Sequence, residues 1–276
     1  MKRWPLTMRL RQALLVGVMM GLWPAAHATD LLPKIKADNV LRVANTQSSP
    51  PWSMLDEKNQ PAGYDVEIAK EVARRMGVQK VVFIADSGKN FIEGLKAGKY
   101  DVVMNDLTPT VERSKQVDFG TPYGAEDFRI FVRADTTTIK GRGDLGAKRV
   151  GVTTGSSNES WARKHLTSSE LRSYDNGGLL FSDLANGRID AVIVSHFGGL
   201  RYATVNKLPL KEVGEPLTYQ LSAPALAKNQ PALAAAINKA IGEMLADGTV
   251  DRLAKRWVSG DYDMRGAIAR ANEDKE

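Results

Sequence analysis

The 276-residue sequence contains no cysteine. That absence excludes a disulfide framework, a thiolate zinc site, a cysteine nucleophile and a cysteine-linked lipid anchor. The chain also lacks H-E-x-x-H, G-x-S-x-G and P-loop motifs. No cofactor, no metal and no catalytic residue is therefore expected. Beyond the first 28 residues there is no apolar run of about 18 residues, so the remainder should be soluble. An excess of one charge is lacking too. The formal charge is +6, but Lys2, Arg3, Arg9 and Arg11 lie in the first 28 residues with no acid among them. The rest of the chain carries 34 basic against 32 acidic residues, too even a balance to attract nucleic acid. With 43% apolar and 25% charged residues, the composition is that of a globular chain long enough for two lobes, not of a disordered or fibrous one.

The basic start is followed by an apolar stretch from about Ala13 to Trp23 and by Ala26-His27-Ala28. Charged, apolar and small-x-small regions in that order make a secretory leader cleaved after Ala28. An uncleaved anchor is the competing reading. The stretch is shorter than the ~20 residues a bilayer needs, and Pro24 interrupts it.

Strand and helix signals alternate thereafter. Val40–Ala44, Val81–Ile84 and Val102–Met104 read as strands. Asp65 reads as the N-cap of an amphipathic helix that Gly77 stops, and Phe91, Ile92 and Leu95 line a second helix. The pattern recurs with a strand at Arg149–Val152, helices at Ser156–His165 and Leu179–Ala185, and a strand at Ile189–Val194. Leu95, Gly98 and Asp101 before one apolar run match Leu184, Gly187 and Asp190 before another, 89 residues later. The fold class expected is α/β with two similar lobes. Ligands of such sheets sit at the carboxyl ends of the strands, here Asp106 with Thr108, and Ser195 with His196.

Gly63-Tyr64-Asp65-Val66-Glu67, then Asp106-Leu107-Thr108-Pro109-Thr110-Val111-Glu112-Arg113, then Val117-Asp118-Phe119 with Pro122-Tyr123, resemble the family 3 solute-binding proteins. These are periplasmic polar amino-acid receptors of ABC importers. The likeness runs from about Asn39 to Trp257 and includes Asp247-Gly248-Thr249. It implies a type II periplasmic-binding fold: two α/β lobes, a two-strand hinge and a ligand cleft. The implied division is 1–28 leader, 29–127 first lobe, 128–227 second lobe, and 228–276 returning to the first. Phe128–Arg133 is the expected first crossing, the segment around Leu217–Leu226 the second, and Pro231 opens the returning helix.

The same resemblance makes Arg113 the grip on a ligand carboxylate, for which a planar guanidinium offers two parallel donors. A surface pairing with Glu112 or Asp118 is the alternative. Thr108 can offer amide and hydroxyl to the same group. Asp106 is either an acceptor for a ligand ammonium or a turn residue. Ser156 and Glu159 have capping-box spacing, and Ser157 in the following turn is a candidate contact beside free helix amides. Two positions depart from the family pattern. Ser195 stands where an Asp often pairs with the ligand ammonium, with His196 beside it. Ser49 stands where many relatives have an aromatic, and Trp52 is then either a wall of the site or core. Asn90 is a candidate rim contact, and Asp101 and Asp190 belong to the fold.

The expected function is capture of a small carboxylate-bearing solute, an amino acid or derivative, by a periplasmic monomer that delivers it to a membrane permease on lobe closure. Two alternatives share the fold. One is an exported cyclohexadienyl or arogenate dehydratase, which would need a general acid near Ser195. The other is a receptor for a sensor kinase.

Overall fold

A computed structural model describes residues 30–273. The expected leader and its expected cleavage point lie outside these residues. Two five-stranded sheets organise the chain as two α/β lobes. In the first sheet Val40–Asn45 runs parallel between Lys80–Ala85 and Val102–Val103. Ala225–Ala227 then pairs antiparallel with both Val102–Val103 and Val117–Phe119. In the second sheet Arg149–Thr153 runs parallel between Glu170–Tyr174 and Ala191–Ser195, and Gly124–Arg133 and Leu210–Ser222 add antiparallel. Each sheet thus contains a parallel trio whose first strand in the chain lies in its middle. The middle strand of the first trio buries Leu41, Val43 and Ala44, as a strand covered on both faces must.

The repeat read from the sequence is also a repeat of contacts. Gly98 and Gly187 both take left-handed φ, 67° and 70°, at the ends of their helices. Arg42 reaches Asp101 with Nη2 at 2.5 Å and the Gly98 carbonyl with Nη1 at 2.9 Å. Arg149 does the same to Asp190 at 2.6 Å and to the Gly187 carbonyl at 3.0 Å. Asp101 and Asp190 therefore tie each third strand to the middle one.

Asp65 is not the N-cap. Helix Tyr64–Arg75 starts after Gly63, at φ 121°. The amides of Tyr64 and Asp65 donate to the carbonyls of Pro51 and Trp52 at 3.0 and 2.9 Å, which leaves the cap no side chain to recruit. A Cβ on Gly63 would lie 2.3 Å from the Trp52 oxygen, so only glycine fits. Asp65 is consequently turned inward and fully buried.

The chain crosses between lobes twice, side by side. Tyr123 N donates to Ser222 O and Gly120 N to Pro224 O, each at 2.9 Å. The first crossing strand begins at Gly124, four residues before the expected Phe128. The return is complete by Ala225, whose Ala-Leu-Ala strand is already paired in the first sheet, so a second-lobe boundary at 227 is too late. Between Leu210 and Ser222 the return strand is paired with the outgoing one, interrupted by an irregularity between Val213 and Thr218. Helices Pro231–Ala246 and Thr249–Trp257 pack on Tyr64–Arg75, and Met264–Glu273 packs on the outgoing crossing strand. Tyr262 donates to the Ala125 carbonyl at 2.6 Å beside it.

An ion-pair network fastens the helices of the first lobe. Arg75 bridges Glu71 and Asp247, each at 2.7 Å, and Arg74 also holds Glu71. The Arg74 hydrogen bond leads in depressing the Glu71 carboxyl from the usual 4.5 to about 2, with Arg75 adding to it and burial opposing. A depressed carboxyl stabilises the fold above its unfolded value and loses that stabilisation as pH falls toward the folded value. Chemical denaturation between about pH 5 and 2 should therefore show a steeper loss for the wild type than for Glu71→Gln. Parallel pH profiles would remove Glu71 from the account.

Candidate functional site

A cavity of about 580 Å³ lies between the lobes. Arg113 enters it from the short helix Val111–Ser114, which Thr110 caps by accepting from the Arg113 amide. The side chain crosses toward the second lobe. Nη1 donates to the Thr108 carbonyl and Nη2 to the Gly155 carbonyl, both at 2.8 Å. Two of the five guanidinium N–H groups are engaged there, leaving three for a ligand. The surface pairing expected as the alternative is not formed: Asp118 pairs with Lys228 at 2.7 Å instead. Burial lowers the Arg113 pKa to about 10, opposed by the Asp106 charge, so the group stays cationic at neutral pH.

Opposite Arg113 is the N-terminus of helix Ser157–His165. Ser156 is its N-cap, accepting from Glu159 N at 3.1 Å and donating to the Thr153 carbonyl at 2.7 Å. Glu159 reaches back to the Gly155 amide at 2.7 Å, one residue short of the expected capping box. Ser157 and Ser156 both line the cavity. The Ser157 hydroxyl lies 3.2 Å from that of Thr108, a contact between lobes. Thr108 also donates to Gln220 Oε1 at 2.9 Å. It lies outside the cavity lining and stands behind Arg113 as its support.

Asp106 and Ser195 line the cavity at the ends of the third strands. Asp106 adopts φ 46°, a left-handed turn that Asp tolerates, and accepts from the Ser222 hydroxyl. Beneath the pair are two acids that sequence reasoning missed as site residues, Glu126 on the outgoing crossing strand and the inward-turned Asp65. Both are buried, and their carboxylate oxygens meet no hydrogen-bond partner among the described residues. Burial pushes Asp65, Asp106 and Glu126 up, Asp65 and Glu126 strongly. The Asp106 charge adds to the rise of both, while the Ser195 hydroxyl opposes it at Glu126.

Trp52 resolves the alternatives by being both. It lines the cavity, yet it is only 2% exposed and packs edge-on against Tyr64 with ring centroids 5.5 Å apart. Ser49 lines the cavity beside it, its hydroxyl 2.8 Å from that of Thr46. Aromatic surface that the sequence did not reveal comes from Phe128, Phe181 and Tyr202. The last two stack on each other at 4.6 Å.

His196 is displaced from the site. Its Nδ1 is 2.6 Å from Glu212 on the return strand, and Glu212 also faces Arg129 at 3.3 Å. As the first residue of helix His196–Val205, it lies outside the cavity lining, turned from Ser195's side toward the sheet edge. Asn90 is displaced as well, its amide donating to Asp86 at 2.8 Å. Among the described residues no three His, Asp or Glu side chains converge as a metal site, and no helix is long and apolar enough to cross a membrane.

The profile of the bacterial extracellular solute-binding proteins, family 3, matches residues 41–260. The chain belongs to this family. Like other family 3 solute-binding proteins it has the type II periplasmic-binding fold. This family 3 protein is 33% identical to the L-cystine-binding protein TcyJ of Escherichia coli (strain K12), over 91% of the present chain and 96% of TcyJ. Among solved structures it resembles an ancestral arginine-binding protein bound to glutamine (TM-score 0.76, 36% identity, 80% of this chain and 98% of that one). It also resembles the ancestral amino acid-binding protein AncCDT-1, a precursor of cyclohexadienyl dehydratase (TM-score 0.77, 31% identity, 83% and 100%). These relatives are named as binding proteins, which agrees with the reading of a family 3 receptor rather than an enzyme.

Proposed function

We propose that this family 3 protein captures a zwitterionic amino acid between its lobes and presents the closed form to the permease of an ABC importer. One observation carries the reading: Arg113, with three free donors, faces the N-terminal turn of helix Ser157–His165 across the interlobe cavity. That arrangement suits a carboxylate, which takes the guanidinium fork from one lobe and helix amides from the other. The ligand ammonium then points to Asp106 and Ser195, and its side chain to Trp52, Phe128 and Phe181. Thr108 supports Arg113 from behind. Closure is stabilised by the ligand because each lobe supplies part of the cage.

The protein acts as a periplasmic monomer after cleavage behind Ala28. On the strand pairings, the first lobe extends to the crossing at Gly124 and resumes near Ala225, a modest revision of 29–127 and 228–276. The names of relatives favour cystine, arginine and glutamine as first ligands to try. A thermal-shift screen of these, other amino acids, opines, ectoine-like acids, quaternary-amine acids and nitrogen-free carboxylates tests the reading. A true ligand at 100 times its Kd adds about 2.7 kcal/mol to stability. The melting temperature should then rise by roughly 5–11 °C for a protein of this size. A rise with nitrogen-free carboxylates alone would reject the amino-acid assignment.

A further inference from the structure

We propose that Asp106 and Glu126 form one acid pair that seats the ligand's ammonium group, and that the pair holds a proton which the incoming ammonium displaces. The inference rests on the amino-acid reading and adds to it a residue, a charge class and a coupling to pH.

Glu126 is 1% exposed, and neither carboxylate oxygen meets a hydrogen-bond partner among the described residues. An ionised carboxylate in that position would have lost its water with nothing in return. The strand register puts Glu126 on the same sheet face as Ser222, whose hydroxyl donates to Asp106, and as Ser195, and both Asp106 and Ser195 line the cavity. Asp106 comes from the first lobe, Glu126 from the crossing strand and Ser195 from the second lobe, so the three meet where the lobes meet. A primary ammonium carries three N–H donors, which matches two carboxyls and a hydroxyl.

The cation facing the pair, Arg113, offsets the charge of Asp106 and leaves Glu126 without a counter-charge of its own. Asp106 faces Arg113, whose Nη atoms donate to the Thr108 and Gly155 carbonyls, and it faces Asp65, beside which stands the buried Tyr123 hydroxyl. Glu126 faces Asp127 on its own strand and Tyr262 from the C-terminal segment. Asp127 is paired with Arg129, which also faces Glu212, the partner of His196. Two adjacent buried carboxyls do not both ionise against a single cation. Burial raises both, Glu126 strongly, in agreement with a retained proton. An arriving ammonium supplies the counter-charge, and the proton leaves to solvent.

Calorimetry with L-cystine, L-arginine and L-glutamine as probes, near neutral pH in two buffers of different ionisation heat, tests this. The expected result is a buffer-dependent heat equivalent to up to about one proton released per ligand, with affinity rising with pH by up to about tenfold per unit wherever the free pair still holds its proton. Glu126→Gln should bind more weakly, with the buffer dependence and the pH slope both lost. Binding to the wild type with buffer-independent heat overturns the inference and leaves the amino-acid reading standing. A thermal-shift screen in which nitrogen-free carboxylates alone bind overturns both. The wild-type measurement decides the matter even if Glu126→Gln fails to fold.

Discussion

Replacing Arg113 with alanine should weaken ligand binding by about 2–5 kcal/mol, roughly 30- to 5,000-fold, because it leaves a buried carboxylate without its partner. The side chain joins the lobes even without ligand, through the Thr108 and Gly155 carbonyls. Arg113→Ala should therefore also reduce closure. Arg113→Lys separates the two contributions. It keeps the charge but cannot donate two parallel bonds, so it should fall between wild type and alanine. Isothermal calorimetry with the ligand that emerges from the screen measures all three. Equal affinity of Arg113→Ala and wild type would take Arg113 out of the site and leave the helix amides as the carboxylate's only hold.

Trp52→Ala should lower stability by about 3–5 kcal/mol, the usual cost of emptying a large aromatic site in a core. For a chain of this size that is a fall in melting temperature of roughly 6–20 °C. Trp52 belongs to the first-lobe core with Tyr64, Tyr123 and Leu221, and its backbone carbonyl receives the Asp65 amide at the start of a helix. Trp52→Phe should recover most of the loss. Thermal unfolding without ligand distinguishes this from a wall that serves only binding: an unchanged melting temperature with lost affinity would show that the ring matters to the ligand alone.

Features that depend on neighbours along the chain were legible in the sequence. The helix carrying Ser157 announced itself by Ser156 and Glu159, and the parallel trio by two Leu-Gly-Asp turns before apolar runs. Arg113 and Asp106 were legible through a spaced motif. What was hidden depends on neighbours in space. Glu126 carries no local signal, because the groups it interacts with, Asp106, Ser195 and Tyr262, lie far away in sequence. Asp65 looked like a cap, because nothing local shows that Pro51 and Trp52 already satisfy the helix start. His196 was drawn into the site by its adjacency to Ser195, yet strand and helix meet between them, and Glu212 claims the imidazole. The first crossing was placed late because Gly-Ala-Glu-Asp lacks apolar character, although its backbone already pairs with the return strand.

The paired crossings have a mechanical consequence. The outgoing and returning passes are held to each other by hydrogen bonds on both sides of the junction, at Gly120 with Pro224 and at Tyr123 with Ser222. Neither pass can slide or twist without dragging the other. On the proposed reading, lobe opening is therefore a bend that both passes make together.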